Sequence, residues 1–545
     1  MIAAQLSHRK HQYFGREKSL GILRYPILPA LLMIAATFVC SPRPSFGQSA
    51  ISPKSMKVLG NVDPRYVSYN IETVEVTGGR FWAPYKSMQQ HKDATVSDPA
   101  AGAPLREDVY QYRPPIDLSN PKLRKLAAAL SPAYVRVSGT WRNSSYFQDN
   151  DEPALKVVPD GFQNVLTRAE WRGVIDFGRA VDAQVVTSFA SSAGTRDANG
   201  VWTTAQAKAL IDYTKTIGGH IAATEFINEP TLMNLGGVPK GYGATEYGKE
   251  SQRFGEFLRK ESPGTIYLGP SSAGEGVSQT PPLSAMHLIP TEELMKATGP
   301  IFDGFSYHVY YTRAHRCMGD RGTDTGELLK PDWFKRGVEA ESFYAKLRDQ
   351  YLPGKDIWLT ETGEASCGGD TWASQFIDSF RLLDQFGSLA QKSVKSIMYN
   401  TLASSDYGWV DEDTLVPRPN YWSALLWKRT MGTRALDPGI GPVPGMRIYA
   451  QCMKNAPGGV AILVLNVDKS DAHSLTLPIG GQRYTLSSPD LMSKTVFLNG
   501  KELGVAADGS VPEYKGEGFK KGLVSFAPTT ISILTLPGAG NSSCK

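Results

Sequence analysis

From Tyr66 to about Leu402, short β-branched and aromatic runs alternate with longer stretches whose apolar residues recur at helical spacing. Such alternation marks a parallel sheet built from βα units, because a strand covered on both faces reads as an apolar run while its helix shows one stripe. The strand-like runs are Ser68 to Val76, Ala133 to Val137, Gln184 to Phe189, Ala223 to Ile227, Thr265 to Leu268, Gly304 to Val309, Ile357 to Thr360 and Ser396 to Asn400. Eight such runs predict an α/β fold, a (β/α)8 TIM barrel over residues 66–430. Pro121 to Leu130, Thr203 to Ile217, Thr245 to Lys260 and Asp370 to Gly387 are the clearest intervening helices. A helix over Ser423 to Met431 leads into a different texture. Over residues 436–545 Gly and Pro punctuate short runs such as Gly459 to Leu465 and Thr530 to Thr535, which predicts a C-terminal β-sandwich. Residues 50–65, with a strand-like run near Met56 to Val62, are not needed by the barrel and are placed to complete that sandwich.

Candidate chemistry lies at two strand ends. Thr224-Glu225-Phe226-Ile227 closes on Asn228-Glu229-Pro230, and Ile357-Trp358-Leu359-Thr360 closes on Glu361. These end the fourth and seventh strands, and in a TIM barrel chemistry sits at the C-terminal strand ends, so both acids are placed on one rim. Two carboxylates are the minimum for glycoside hydrolysis. In a retaining enzyme one protonates the leaving oxygen and the other attacks the anomeric carbon, with the pair about 5–5.5 Å apart. Glu229 suits the acid and Glu361 the nucleophile. Asn228 is placed to hydrogen-bond the sugar hydroxyl beside the anomeric carbon, and Pro230 ends the strand. A donor from the sixth strand, Tyr307, Tyr310 or His308, is expected to hold Glu361 as carboxylate, with an ordinary satisfied strand histidine as the alternative for His308. Glu364 competes as nucleophile but falls three residues later, in an expected loop. Glu225 reads as a structural acid paired inside the barrel.

Length and composition are compatible with this reading: 545 residues, 41% hydrophobic and 20% charged, suffice for one large domain and a smaller one. Residues 1–47 stand apart. Arg9, Lys10, Arg16, Lys18 and Arg24 precede an apolar stretch from Ile27 to Val39, and Ser45-Phe46-Gly47 supplies small residues for cleavage, the pattern of a signal peptide. The protein is expected to be exported, periplasmic or extracellular. An uncleaved membrane anchor is the alternative, disfavoured because a span needs about 20 apolar residues. With Arg43 this segment holds six basic residues against one acid, Glu17, which is the whole +5 of the chain; the remainder carries 52 of each sign. Neutrality, and the lack of basic runs interleaved with aromatics, exclude a nucleic-acid partner. Beyond that segment four cysteines remain, Cys317, Cys367, Cys452 and Cys544. Zinc is excluded for want of CxxC or HxxxH spacing. Two disulfides are expected, Cys452 with Cys544 fastening the C-terminus, and Cys317 with Cys367. No metal or organic cofactor is called for.

These residues resemble glycoside hydrolase family 79, the heparanase and β-glucuronidase family. Besides Asn228-Glu229, the resemblance is carried by Pro121-Lys122-Leu123-Arg124 through Arg136 to Ser138-Gly139-Thr140, by Trp358 to Thr362 with Gly368-Gly369, and by Tyr407 with Val410-Asp411-Glu412 and Pro419-Asn420-Tyr421-Trp422. Leu491 to Gly500 extends it into the C-terminal domain. The resemblance implies Glu229 as acid/base and Glu361 as nucleophile. It implies further that Tyr407 and the backbone amides near Gly368 and Gly369 bind the uronate carboxylate, and that Cys452 and Cys544 take the place of the family's domain-fastening disulfide. A Cys317–Cys367 bridge would tie two rim loops.

Two departures bear on the substrate. Only about 30 residues separate Thr140 from Trp171, so there is no room for the long excised linker of the animal enzymes. The neutral chain has no global field for a sulfated polymer, although Arg313, Arg316 and Arg321 could make a local patch. Both favour an exo-acting β-glucuronidase on a glucuronic-acid-containing carbohydrate over a heparan sulfate endo-hydrolase. The rivals are a neutral-sugar glycosidase of the same clan, such as a xylosidase or arabinofuranosidase, and a non-catalytic polysaccharide-binding protein.

Overall fold

The structure, a computed structural model, describes residues 49–88, 109–235, 238–239, 241–277, 288–318 and 322–545. The expected export segment and Arg321 lie outside them. Eight parallel strands close into a barrel in chain order. The barrel strands are β1 Val67–Glu72, β2 Ala133–Ser138, β3 Ala183–Thr187, β4 Ile221–Glu225, β5 Ile266–Ser272, β6 Gly304–Arg313, β7 Asp356–Ser366 and β8 Ile397–Tyr399. Around them run α1 Pro121–Ala129, α2 Arg168–Ala180, α3 Ala205–Thr216, α4 Ala244–Glu261, α5 Thr291–Thr298, α6 Pro331–Tyr351, α7 Phe376–Gln391 and α8 Pro419–Thr430. Local signals start the helices: Asn120 caps α1 by accepting from the Lys122 and Leu123 amides, with Pro121 as the first residue. Thr167 and Glu170 close a reciprocal capping box on α2.

The period of two along a strand divides the barrel interior into layers. Tyr134, Val186, Trp358 and Met398 form an apolar lower layer. Two residues further on stand Arg136 and Thr360, with Ser188 and Asn400 just past the ends of β3 and β8, all buried and polar, and this upper layer opens onto the site. Apolar burial therefore anchors the barrel below, leaving the upper end free for chemistry.

The C-terminal region is a β-sandwich. Its larger sheet runs Val58–Asn61, Met431–Leu436, Met446–Met453, Val460–Asn466, Thr530–Leu536 and Gly481–Ser487 before two short edge strands. Ser49–Ala50, His473–Leu477 and Gly522–Phe526 form the smaller sheet. Both N-terminal strands thus join the C-terminal sheets, and Ile51, Ile462, Leu475, Val524 and Leu534 fill the space between. Helix α7 is buried from Phe376 to Ala390, because the larger sheet covers the face that a barrel helix usually shows to water. Its Gly387 leaves room for the Tyr449 ring, which a Cβ there would meet at 2.2 Å. Both expected disulfides, Cys317–Cys367 and Cys452–Cys544, are formed.

Several boundaries differ from the sequence pattern. The first strand ends at Glu72 rather than Val76, because Glu75 reaches back to the Glu72 amide at 2.6 Å and starts a helical turn. Helix α7 begins at Phe376, not Asp370, since Ser374 takes a left-handed φ of 48° that no helix accommodates. Strand β7 continues to Ser366, paired with β6 as far as Arg313. Glu364 is consequently a buried strand residue and not the loop acid expected. Among the described residues no helix is long and apolar enough to cross a membrane.

Candidate active site

Arg136, on β2, is the centre of the upper layer. Its side chain is 1% exposed. Nε and Nη2 donate to Glu225 Oε2 at 3.0 and 2.8 Å, Nη1 to Glu361 Oε2 at 2.9 Å, and Nη2 to Asn228 Oδ1 at 2.7 Å. A buried guanidinium is tolerated only with such compensation. Burial would raise the Glu225 carboxyl, but Arg136, His308 and the Thr360 hydroxyl outweigh it and hold Glu225 below the usual range. The paired structural acid anticipated from the sequence is therefore what Glu225 is.

Glu229 follows β4 with φ of +48°, a costly conformation for a non-glycine residue and one that accumulates at functional sites. Burial pushes its carboxyl up to about 7, moderated by Arg136 and reinforced by Glu225. His308 Nδ1 lies 3.0 Å from Glu229 Oε1. Because a guanidinium can only donate, the 3.3 Å contact from Arg136 makes His308 Nε2 the acceptor and leaves the proton on Nδ1, directed at Glu229. Burial pulls His308 down to about 4, with Glu361 opposing and Arg136 assisting, so the ring is neutral near pH 7. His308 thus belongs to the site.

Glu361, on β7, is buried and receives a second bond from the Tyr310 hydroxyl at 2.7 Å. Asn400 Nδ2 donates to the Tyr310 oxygen at 2.8 Å and to Glu72 Oε1 at 2.9 Å, and lies 3.4 Å from the Tyr407 oxygen. Of the sixth-strand candidates, Tyr310 therefore takes the donor role. Tyr307 does not: alternate residues of β6 face opposite sides, and its ring packs on Tyr344 of α6 with centroids 4.8 Å apart. Tyr307 is a residue of the outer core and no part of the site.

One carboxylate oxygen each of Glu229 and Glu361, and a ring nitrogen of His308, lie within 4.8 Å of one another. A cation could use that spacing, but Arg136 already supplies positive charge against Glu361 and His308. Two carboxylates so close, one held at about 7 and one facing a guanidinium and a phenol, can work as a proton donor and an anion.

Beside Glu361 lies the turn after β7. Cys367, Gly368 and Gly369 take φ values of 64°, 81° and 85° in succession. A Cβ on Gly369 would meet Tyr407 Cβ at 2.8 Å, and one on Gly368 would meet Trp82 Cβ at 2.4 Å, so the turn requires glycine for space as well as conformation. The dihedral angles of the turn leave its backbone, and not a side chain, at the surface it presents beside Glu361. Tyr407 is buried against Val74, Phe81 and Ala373. The structure thus gathers Asn228, Glu229, His308, Glu361, Gly368, Gly369 and Tyr407 on one rim. Glu364, one turn away, accepts from Tyr399 and the Asp370 amide, and burial together with Asp378 raises it to about 8.

Sequence reasoning missed Arg136 as the organiser, although the signal was present: an arginine in the middle of the apolar run Ala133-Tyr134-Val135-Arg136-Val137 must find anions once that run is buried. It also overlooked Asn400, which has no signal of its own. The arginine patch is not as expected, for Arg316 is fully buried in an ion pair with Asp406.

A parallel eight-stranded barrel with one glutamate in the loop after its fourth strand and a second on its seventh strand defines a barrel glycosidase. Residues 115–387 match the profile of "Glycosyl hydrolase family 79, N-terminal domain", and the chain belongs to that family. Heparanase-like protein 1 of Arabidopsis thaliana is 24% identical over 494 residues, covering 79% of this chain and 86% of its own. Baicalin-beta-D-glucuronidase of Scutellaria baicalensis is 26% identical over 474 residues, covering 78% and 84%. Among solved structures, a 4-O-alpha-L-rhamnosyl-beta-D-glucuronidase from Fusarium oxysporum 12S superposes with a TM-score of 0.60 at 13% identity, covering 90% of this chain and 99% of that one.

Proposed function

We propose that the protein is an exported, exo-acting retaining β-glucuronidase. Glu229 protonates the glycosidic oxygen while Glu361 attacks the anomeric carbon, giving a glycosyl ester on Glu361. Glu229, now ionised, then takes a proton from the water that hydrolyses this ester. Asn228 faces the hydroxyl beside the anomeric carbon, and Arg136 keeps Asn228 and Glu361 in register. The uronate carboxylate lies between Tyr407 and the amides of Gly368 and Gly369. What carries the reading is the juxtaposition of two carboxylates within 4.8 Å and a left-handed glycine turn packed against a buried tyrosine. Exo action is supported by the balanced charge after residue 47 and by Arg316 being internal, which leaves little to draw in a sulfated polymer. Two disulfides support an oxidising compartment.

On 4-nitrophenyl β-D-glucuronide, Glu361→Gln is expected to abolish turnover and Glu229→Ala to slow it about 10²- to 10⁴-fold, with a smaller loss for the best leaving groups. Near-normal turnover by Glu361→Gln would sink the assignment. Release of monosaccharide alone from a glucuronic-acid-containing oligosaccharide supports exo action, while internal cleavage of heparan sulfate supports the heparanase-like alternative.

A further inference from the structure

The turn that carries Gly368 and Gly369 is held from outside its own strand as well as from Glu364 within it. It is gripped from the loop after β6, where Ala314 donates to the Ser366 carbonyl at 3.2 Å, His315 Nδ1 contacts Asp370 at 2.7 Å and Cys317 is bonded to Cys367. At the middle of this grip is Arg316. Its side chain has no exposure, and its Nη2 donates to the Gly369 carbonyl at 3.2 Å and to Asp406 Oδ2 at 2.5 Å. Nη1 donates to the Ala83 carbonyl. The Tyr85 ring lies 4.1 Å below the guanidinium, and the Tyr85 amide donates to the same Asp406 carboxylate at 3.0 Å.

One guanidinium from the loop after β6 therefore ties together three other rim loops: those after β1, through Ala83 and Tyr85, after β7, through Gly369, and after β8, through Asp406. Two of these attachments are next to groups the functional reading uses. Gly369 is itself half of the glycine pair, and Asp406 immediately precedes Tyr407 in the chain.

We infer that Arg316 is the positioning residue that sets the gap between the Gly368–Gly369 turn and Tyr407, and so determines selectivity for an acidic sugar over its neutral counterpart. This rests on the reading that Tyr407 and the glycine amides hold the uronate carboxylate. Arg316 touches no substrate in this scheme. Its planar fork reaches the Gly369 carbonyl, the Ala83 carbonyl and the Asp406 carboxylate together, which a single ammonium cannot. The spacing is sensitive because Gly369 packs on the Tyr407 Cβ with no room for a Cβ of its own, so a displaced turn also shifts against the rest of that tyrosine. Misplacement by about 1 Å in such a cradle costs about 10²-fold. The neighbouring disulfide acts in the same sense by fixing Cys367, the residue that starts the left-handed turn.

The test compares kcat and KM for 4-nitrophenyl β-D-glucuronide and 4-nitrophenyl β-D-glucoside, which differ only in carboxylate against hydroxymethyl. Arg316→Lys is expected to lower the glucuronide-to-glucoside ratio of kcat/KM at least tenfold, chiefly by raising KM for the glucuronide, with glucoside turnover within about threefold of the parent. The Cys317→Ser/Cys367→Ser double variant should shift the ratio in the same direction. Tm is recorded for each, since a variant that only loosens the fold lowers both substrates together and leaves the ratio unchanged, which would overturn the proposal. Tyr407→Phe run in parallel separates the two claims. If it lowers the ratio and Arg316→Lys does not, the carboxylate reading stands and Arg316 has no part in it; if neither changes the ratio, both fall.

Discussion

Glu229 and Glu361 are the same residue type within 4.8 Å of each other, yet their surroundings separate them. Glu229 is pushed up to about 7 chiefly by burial, whereas Glu361 meets a guanidinium at 2.9 Å and a phenol at 2.7 Å. A carboxyl raised by burial suits the general acid, and one bonded by a guanidinium and a phenol is placed to attack. The sign for activity follows directly. A general acid works only while protonated, so kcat/KM on an aryl glucuronide is expected to fall as pH rises through about 7, the value Glu229 holds in the free enzyme. Glu229→Gln should remove that basic limb from whatever activity remains on an activated substrate. A limb that persists in the Glu229 variant would assign the proton to another group. His308, held neutral, adds no titration of its own in that range.

Strand β7 does more at the element scale than present Glu361. Its extension to Ser366 carries Glu364 into a site buried beneath the glycine turn, where Tyr399 and the Asp370 amide bond it. Burial first, and Asp378 second, raise this carboxyl from 4.5 to about 8, so the folded protein holds it protonated at pH 7. A raised carboxyl stabilises the fold fully below its unfolded value and loses that contribution as pH rises through the folded value. Tm should therefore fall as pH rises from about 4.5 to about 8, and Glu364→Gln should flatten the fall, as read by thermal scans across that range. An equally steep decline in the variant would place the titration elsewhere, with Glu75, raised to about 7 mainly by burial, the next candidate.

For the whole molecule, the chain ends are knitted into one sandwich. Val58–Asn61 pairs with Met431–Leu436, Asn541 donates to the Pro53 and Met56 carbonyls at 2.7 and 2.9 Å, and Cys452 is bonded to Cys544 across 92 residues. A crosslink over so long a loop removes much unfolded-state freedom. Cys452→Ser/Cys544→Ser is expected to lower stability by about 2–5 kcal/mol in chemical denaturation while leaving turnover at 25 °C near that of the parent, because none of the site residues lies in this sandwich. An unchanged midpoint would show that the sheet pairing alone fastens the terminus.

Periodicity, and the acids that close two apolar runs, were enough to give the eight-stranded barrel, the sandwich and the rim on which Glu229 and Glu361 stand, because strand parity and strand-end position are local properties of a chain. Arg136 was half legible, as a charge inside an apolar run whose partners, Glu225 and Glu361, lie 89 and 225 residues away. Which sixth-strand residue meets Glu361 was not legible at all. Tyr307 and Tyr310 are chemically alike, and only the register of β6 against β7, with its irregularity between Tyr307 and His308, turns one outward to Tyr344 and the other inward to the carboxylate. Arg316 shows the same limit: its sequence neighbours suggest a surface patch, but closure of the barrel brings Ala83, Gly369 and Asp406 around it and makes it an internal tie. Local pattern is enough to say where charges and apolar runs fall along the chain; which of them meet follows from barrel closure and strand register, which no local pattern encodes.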